Sequence, residues 1–273
     1  MQSVKDILAK YNLKPGAPAA APQAGGETAH CPLCQDRGII LEGDVARPCQ
    51  CMQQKALRNK FKHAGISVEM MQQTFANFRF DYYSPLLVDP VRNRSYLEHA
   101  QRALQAARDF VAEYVARGEA PGLMFMGPVG SGKTFLACAV ANALTEQDKQ
   151  ILFLVVPDLL DELRATFGKK YPENTEQDLL DAARSVPVLI LDDLGAHNYT
   201  EWTRNRIFSI INYRMNHSLP TVITTNLDIN ELDSYLGERT TSRLLQMCRG
   251  FKLYVSHDIR MLKYQEREQG VGR

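Results

Sequence analysis

The amino-acid sequence predicts an α/β fold built on a five-stranded parallel sheet with a small N-terminal domain attached, and three observations predict it. Five short apolar runs, Leu123–Met126, Ile151–Val156, Val188–Leu191, Thr221–Thr225 and Phe251–Val255, alternate with amphipathic segments. Runs apolar at successive positions suit strands buried on both faces, the state of parallel strands covered by helices above and below. The segment GPVGSGKT, Gly127–Thr134, separates the first run from a helical pattern over Phe135–Leu144. Upstream, four of the six cysteines fall between Cys31 and Cys51, outside the alternating region.

The bulk properties agree with such a fold. The chain has 273 residues, 45% hydrophobic and 23% charged, ordinary values for a globular protein with one large domain and a smaller companion. A net charge of +1 excludes a global field that would drive the molecule onto nucleic acid, so any such binding needs a local patch. No stretch approaches the roughly 18 apolar residues of a membrane-spanning helix. Lys5 and Asp6 interrupt the N-terminus before an apolar run develops, so no secretory signal is read and the expected compartment is the cytoplasm.

In chain order, Val4, Ile7, Leu8 and Tyr11 share one helical face, which predicts a short amphipathic helix over residues 1–13. Residues 14–29, with PGAPAAAPQAGG at their centre, are too rich in proline and glycine to bury a core and read as a flexible linker. The helix is either a hook for a partner or a frayed end that docks on its own domain. Cys31-x₂-Cys34 and Cys49-x-Cys51 follow, two close thiol pairs joined by a loop in which Gly38 and Gly43 let an Ile39–Leu41 hairpin turn back. Four thiolates so delivered suit tetrahedral Zn²⁺, a closed structural site; His30 or His63 can replace a ligand. The competing readings are a redox pair and unrelated buried thiols, but a redox site needs one pair, and reducing conditions disfavour a disulfide. Cys138 and Cys248 sit among apolar neighbours and read as core.

Between Arg47 and Ser67 the charged residues are Arg47, Lys55, Arg58, Lys60 and Lys62, all basic. With Phe61 they form either a nucleic-acid or partner surface, or a solvated helix face. Phe75, Phe78, Phe80, Tyr82 and Tyr83 come next, able to stack on bases or to pack over a nucleotide or the core. Over Ser95–Arg117, Leu97, Ala100, Leu104, Ala107, Val111 and Tyr114 repeat at helical spacing, and Gly118 supplies a stop.

GPVGSGKT satisfies G-x-x-x-x-G-K-[ST] with a strand before it and a helix after it. In such a loop, Gly127, Pro128, Val129, Gly130, Ser131 and Gly132 curl backbone N–H groups around phosphate oxygens, reinforced by the helix N-terminus. Lys133 adds positive charge to the β- and γ-phosphates of ATP, and the Thr134 hydroxyl coordinates Mg²⁺. A buried strand ending in Asp192 and Asp193 complements the loop. Asp192 can hold Mg²⁺, and Asp193 can polarise an attacking water. Asn226 ends the run Thr221–Thr225, at the strand tip where open α/β sheets bind ligands. Arg239 and Arg243 lie four apart on one helical face, where they can pair with Glu238, stay solvated, or reach the γ-phosphate of a neighbouring chain.

From about Thr74 to Lys263 the sequence resembles the AAA+ ATPase domain of bacterial helicase loaders of the DnaC and DnaI type, a domain shared with the transposase helper IstB. The resemblance rests on TFANF, GPVGSGKT, LILDDLG, the TEW…IINYR helix, TTNLD, GERTTSRL and HDIR. It implies a five-stranded AAA+ P-loop NTPase core that self-associates around ATP. It also implies Asn226 as sensor 1, Arg243 as the trans-acting arginine finger with Arg239 as the alternative, and Arg260 as sensor 2. Asp193 stands where many AAA+ members have glutamate, as is typical of the loader branch. DnaI-type loaders are also similar in bearing an N-terminal zinc domain that contacts the helicase.

The resemblance yields a domain plan: helix 1–13, linker 14–29, a zinc-binding and partner-contacting domain 30–73, and the AAA+ ATPase domain 74–273. The implied function is ATP-dependent loading of a DnaB-type hexameric replicative helicase onto single-stranded DNA, with hydrolysis as a switch. Two alternatives stand beside it. An IstB-like transposition helper would use the same core on target DNA, though that family generally lacks the cysteine segment. A small-molecule P-loop kinase would need neither Asn226 nor the arginine pair, and no acceptor site or lid is recognisable.

Overall fold

The computed structural model describes residues 34, 37–42, 45–49, 51–52, 67–167, 175–196 and 199–271. The predicted helix 1–13, the linker, His30, Cys31, His63 and all of the basic stretch except Arg47 lie outside these. The chain divides into two units, Met1–Ala56 and Leu57–Arg273.

In the first unit, strands β1 (Ile39–Glu42) and β2 (Val45–Pro48) pair antiparallel, with Ile39 opposite Pro48 and Glu42 opposite Val45. This is the hairpin expected between the two cysteine pairs, lengthened by a residue into Glu42. Gly38 enters it at φ 75°, and a Cβ there would stand 2.7 Å from the Met52 sulfur, so a side chain would be both strained and crowded.

The second unit begins with helix α1 (Val68–Met71) and a 3₁₀ turn over Phe75–Asn77, followed by a ribbon of β3 (Val88–Asp89) and β4 (Arg94–Ser95). Helix α2 (Tyr96–Arg117) starts at a capping box, Ser95 with Glu98, and ends on Gly118 at φ 77°, whose N–H donates to Tyr114 O at 2.8 Å. Its buried face carries Ala100, Ala103, Leu104, Ala107, Phe110 and Tyr114. Phe110 thus takes the core position expected of Val111, which is only partly buried.

The remaining elements form the main sheet and its helices. They are β5 (Gly122–Met126), α3 (Lys133–Glu146), β6 (Ile151–Val155), α4 (Val156–Ala165), α5 (Glu176–Ser185), β7 (Val188–Asp192), α6 (Glu201–Asn216), β8 (Thr221–Thr225), α7 (Ile229–Leu236), α8 (Glu238–Met247), β9 (Cys248–Lys252) and α9 (Ile259–Val271). The five strands pair in the order β6-β7-β8-β5-β9, all parallel. This is the five-stranded AAA+ sheet.

Side chains alternate between two cores, as the period of two in a strand requires. Leu123, Phe125, Phe153 and Ile190 face the core shared with α2 and α3. Met124, Met126, Leu152 and Leu189 face the core shared with α4 to α8. The four strands β5 to β8 match their apolar runs within one residue. The fifth differs: the expected strand Phe251–Val255 is instead Cys248–Lys252. It is one of two edge strands; unlike β6 at the other edge, it has Arg249 and Gly250 exposed within it, and the apolar residues of the expected run lie at and beyond its carboxyl end.

Helix α1 and Gln73 belong to the larger unit, because Asn142 on α3 donates to both Met70 O and Gln73 O at 2.9 Å. The division of the chain therefore falls nearer Leu57 than the Thr74 read from sequence. No helix among the described residues is long and apolar enough to cross a membrane.

Candidate functional site

Strand β5 delivers the loop Gly127–Thr134 to the carboxyl edge of the sheet, and α3 begins at Lys133 within it. Gly127, Gly130 and Gly132 all have positive φ (147°, 72° and 88°), which lets the loop curl. Neighbours press on it closely. A Cβ on Gly127 would stand 2.1 Å from Leu253 O, and one on Gly132 would stand 2.6 Å from the Tyr83 hydroxyl. That hydroxyl donates to Ser131 O at 2.8 Å, so the aromatic lead-in braces the loop from outside. Pro128 and Val129 cross the top, with Val129 exposed, whereas Ser131 is fully buried.

Lys133 is buried and its Nζ donates to Gly127 O at 2.8 Å and Pro128 O at 2.7 Å. Burial lowers its pKa to about 8, opposed by the charges of Asp193 and Asp192. The first turn of α3 places Thr134 against β7, where its hydroxyl donates to Asp192 Oδ1 at 2.9 Å. Asp192 sits at the last position of β7, and burial raises its pKa against the hydrogen bonds from Thr224 and Thr134.

Strand β8 lies between β5 and β7, so its end completes the cluster. Thr224 donates to Asp192 Oδ1 at 2.6 Å and accepts the Asp193 N–H at 2.9 Å. Asp193 stands at φ 61°, a left-handed conformation uncommon for a side-chain-bearing residue. Its carboxylate accepts from Asn226 Nδ2 at 3.1 Å. Thr134, Asp192, Asp193 and Asn226 are thus brought together as the sequence predicts. Thr224, which links both aspartates, was missed, because a threonine inside an apolar run reads as strand.

One pocket of about 400 Å³ is lined by Lys133, Thr134, Asp192, Asp193, Asn226 and Arg260 among others. Arg260 enters at the start of α9, where its N–H donates to Asp258 Oδ1 at 2.8 Å and the Ile259 N–H donates to Gly130 O at 3.1 Å. Lys263, one helical turn on, lines the same pocket; its spacing from Arg260 was the available signal. Arg243 does not line it. Its guanidinium donates to Asn212 Oδ1 at 2.8 Å and to Arg239 O at 2.9 Å, and lies 4.8 Å from the Phe208 ring centre. Arg239 is exposed on the same helix.

In the first unit the sulfurs of Cys34, Cys49 and Cys51 lie within 4.8 Å of one another. The Cys34 and Cys51 sulfurs are 3.3 Å apart, and the Gly38 N–H points at Cys34 Sγ from 3.3 Å. Backbone bonds Arg37 N to Cys34 O and Met52 N to Cys49 O, each 3.0 Å, fold both segments into tight turns. Tetrahedral Zn²⁺ with ligands at about 2.3 Å needs sulfurs at about this mutual reach. The three described thiols fit such an ion; the fourth expected ligand, Cys31, lies outside the described residues.

Against known proteins, a match over 163 residues at 30% identity joins the chain to "Replicative helicase loader DnaI" of Bacillus subtilis, covering 58% of this chain but 51% of the relative. "Replicative helicase loader DnaC" of Escherichia coli is 26% identical over 210 residues, 77% of each chain. The crystal structure of DnaI superposes with a TM-score of 0.54 at 27% identity, covering 71% of this chain and 94% of that one. The family model described as "IstB-like ATP binding protein" matches residues 92–260, from the ribbon before α2 to Arg260 in the pocket. The chain therefore belongs to the family of IstB-like ATP binding proteins and carries their ATPase domain in an AAA+ P-loop fold.

Proposed function

We propose that this protein is an ATP-dependent loader that delivers a DnaB-type hexameric replicative helicase to single-stranded DNA, with ATP acting as a switch. The observation that carries the reading is the match to a DnaC loader over 210 residues, 77% of both chains. The cysteine cluster supports it over a transposition helper, since a closed metal site builds a rigid surface on an otherwise small N-terminal unit.

Within the pocket, the loop N–H groups and Lys133 bind the ATP phosphates, releasing the lysine from Gly127 O and Pro128 O. Thr134 and Asp192 would hold Mg²⁺, which would supply neutralisation of the phosphate charge. Asp193, steadied by Asn226, orients a water toward the γ-phosphate, and Arg260 contacts that phosphate from the same chain. Arg243, or else Arg239, contributes charge to the site of a neighbouring copy, so hydrolysis depends on self-association. In the N-terminal unit, Cys31, Cys34, Cys49 and Cys51 hold one zinc and shape the surface that grips the helicase. Elemental analysis of the purified chain is then expected to return one zinc per chain, and a folded, zinc-free protein would dismiss the four-cysteine site.

The direct test is co-purification with the replicative helicase of the same cell, with and without ATP. A truncation beginning at Leu57 is the control, since one beginning at Thr74 would remove the segment held by Asn142. Capture by the full chain but not by the truncation is the expected result. Capture by neither, with a transposase retained instead, would transfer the assignment to the transposition helper.

A further inference from the structure

We propose that Gln73 is the residue by which the pocket selects adenine over guanine. The proposal rests on ATP as the ligand. Gln73 follows α1, and its backbone is fastened to α3 through the hydrogen bond from Asn142 Nδ2 to Gln73 O. Asn142 lies about 13 Å along the helix axis from Lys133, at 1.5 Å per residue. The anchor therefore holds Gln73 well beyond the phosphate-binding turn, yet Gln73 lines the same pocket as Lys133, Thr134 and Asp192. A bound nucleotide with its phosphates on the loop has its base left to place, and we place it against Gln73, which is anchored away from the phosphate-binding turn.

The carboxamide of Gln73 is uncommitted. Its Oε1 is shielded from solvent and has no hydrogen-bond partner among the described residues. Buried polar atoms are rarely left so, and a specific unpaired one calls for an explanation. The last torsion of a glutamine side chain is broad and two-fold, so without a partner neither edge of the amide is fixed toward the pocket. Adenine offers a donor at N6 beside an acceptor at N7, the pair that a carboxamide satisfies with two hydrogen bonds. Guanine offers acceptors at both O6 and N7, so one of the two contacts becomes a repulsion between lone pairs.

The surroundings suit a base. Phe135 lines the pocket beside Gln73, and the Lys263 ammonium lies 5.7 Å from its ring centre and 6.0 Å from that of Tyr82. An aromatic ring with a cation at its margin is a surface on which any base can stack. Stacking alone does not discriminate between bases, which leaves the choice to the carboxamide.

The test is competition of ATP and of GTP against a fluorescent ATP analogue, on the full chain with Mg²⁺ present. The unaltered protein is expected to prefer ATP by at least about tenfold, and Gln73→Ala to weaken ATP by about tenfold while leaving GTP unchanged. Gln73→Glu keeps the acceptor, loses the donor and is expected to weaken ATP as well. Gln73→Met, which preserves length and removes both polar ends, serves if the alanine variant is unstable by thermal melting. ATP affinity and preference unchanged in Gln73→Ala and Gln73→Met would overturn the proposal alone. No ATP binding by the unaltered chain would overturn the nucleotide reading together with it.

Discussion

Lys133 carries a charge that the folded chain partly buries, and this makes nucleotide binding a pH-dependent event. Its pKa is lowered by burial from 10.5 to about 8. Below about pH 8 the lysine is charged in both folded and unfolded chains, and the folded chain bears the full cost of burying it. Between about 8 and 10.5 the unfolded chain holds the extra proton, so this residue's contribution to stability rises with pH. Binding works in the opposite sense, because phosphate favours the charged amine and draws a proton back onto it. ATP affinity is therefore expected to fall as pH rises above about 8, by at most about tenfold per unit. Titrations across that range check this, and Lys133→Met should bind weakly with no such slope. Thr224 gives a second prediction at this scale. Thr224→Val keeps the shape but removes the hydrogen bond to Asp192 and the acceptor for the Asp193 N–H. Metal-dependent ATP binding should weaken by about 10- to 100-fold, as for other losses of support behind a metal ligand. Affinities measured with Mg²⁺ and with EDTA separate that effect from general damage, which would lower both.

Between elements, one buried side chain does what a pattern of apolar contacts cannot. Arg214, near the end of α6, is fully buried, and its guanidinium donates to Val186 O and Pro220 O at 2.7 Å, to Thr221 Oγ1 at 2.8 Å, and to Arg184 O and Ala183 O at 3.1 and 3.2 Å. These acceptors end α5 and precede β7 and β8, so a single cation caps a helix C-terminus and ties it to two strand entries. Burial lowers its pKa to about 9, still charged at neutral pH. Arg214→Met should cost about 3 kcal/mol or more, since several buried carbonyls would lose their donor together. That predicts a fall of roughly 6 to 12 °C in Tm for a domain of this size. Chemical denaturation checks it, and a loss below about 1 kcal/mol would mean that water or neighbouring groups replace the guanidinium.

At the scale of the whole molecule, the pocket holds Arg260 from its own chain, whereas Arg243 is fastened to α6 outside it. The proposed finger role of Arg243 therefore requires the γ-phosphate of another copy. Arg243→Ala is accordingly expected to bind ATP normally and to lose the increase in specific hydrolysis rate with protein concentration. If that increase survives, Arg239 takes the role, and the double variant should then abolish it.

Local chemistry alone determined the nucleotide site. The loop Gly127–Thr134 requires glycines, a lysine and a threonine in fixed order, and the Asp192–Asp193 pair requires an apolar strand before it; both requirements are written in consecutive residues. Four strands were legible for the same reason, because burial on both faces leaves a short run free of charged residues. The fifth was displaced: the other edge strand, β6, keeps four buried apolar residues, whereas β9 (CRGFK) carries Arg249 and Gly250 exposed at its centre, so its own residues do not form an apolar run. The meeting of Thr224 with two aspartates follows from β8 lying between β5 and β7, a neighbour relation that no local pattern encodes. The same holds for Lys263 and Gln73 in the pocket lining, and for Arg214 against the entries to β7 and β8. Each has neighbours distant in the chain, and only folding brings them together.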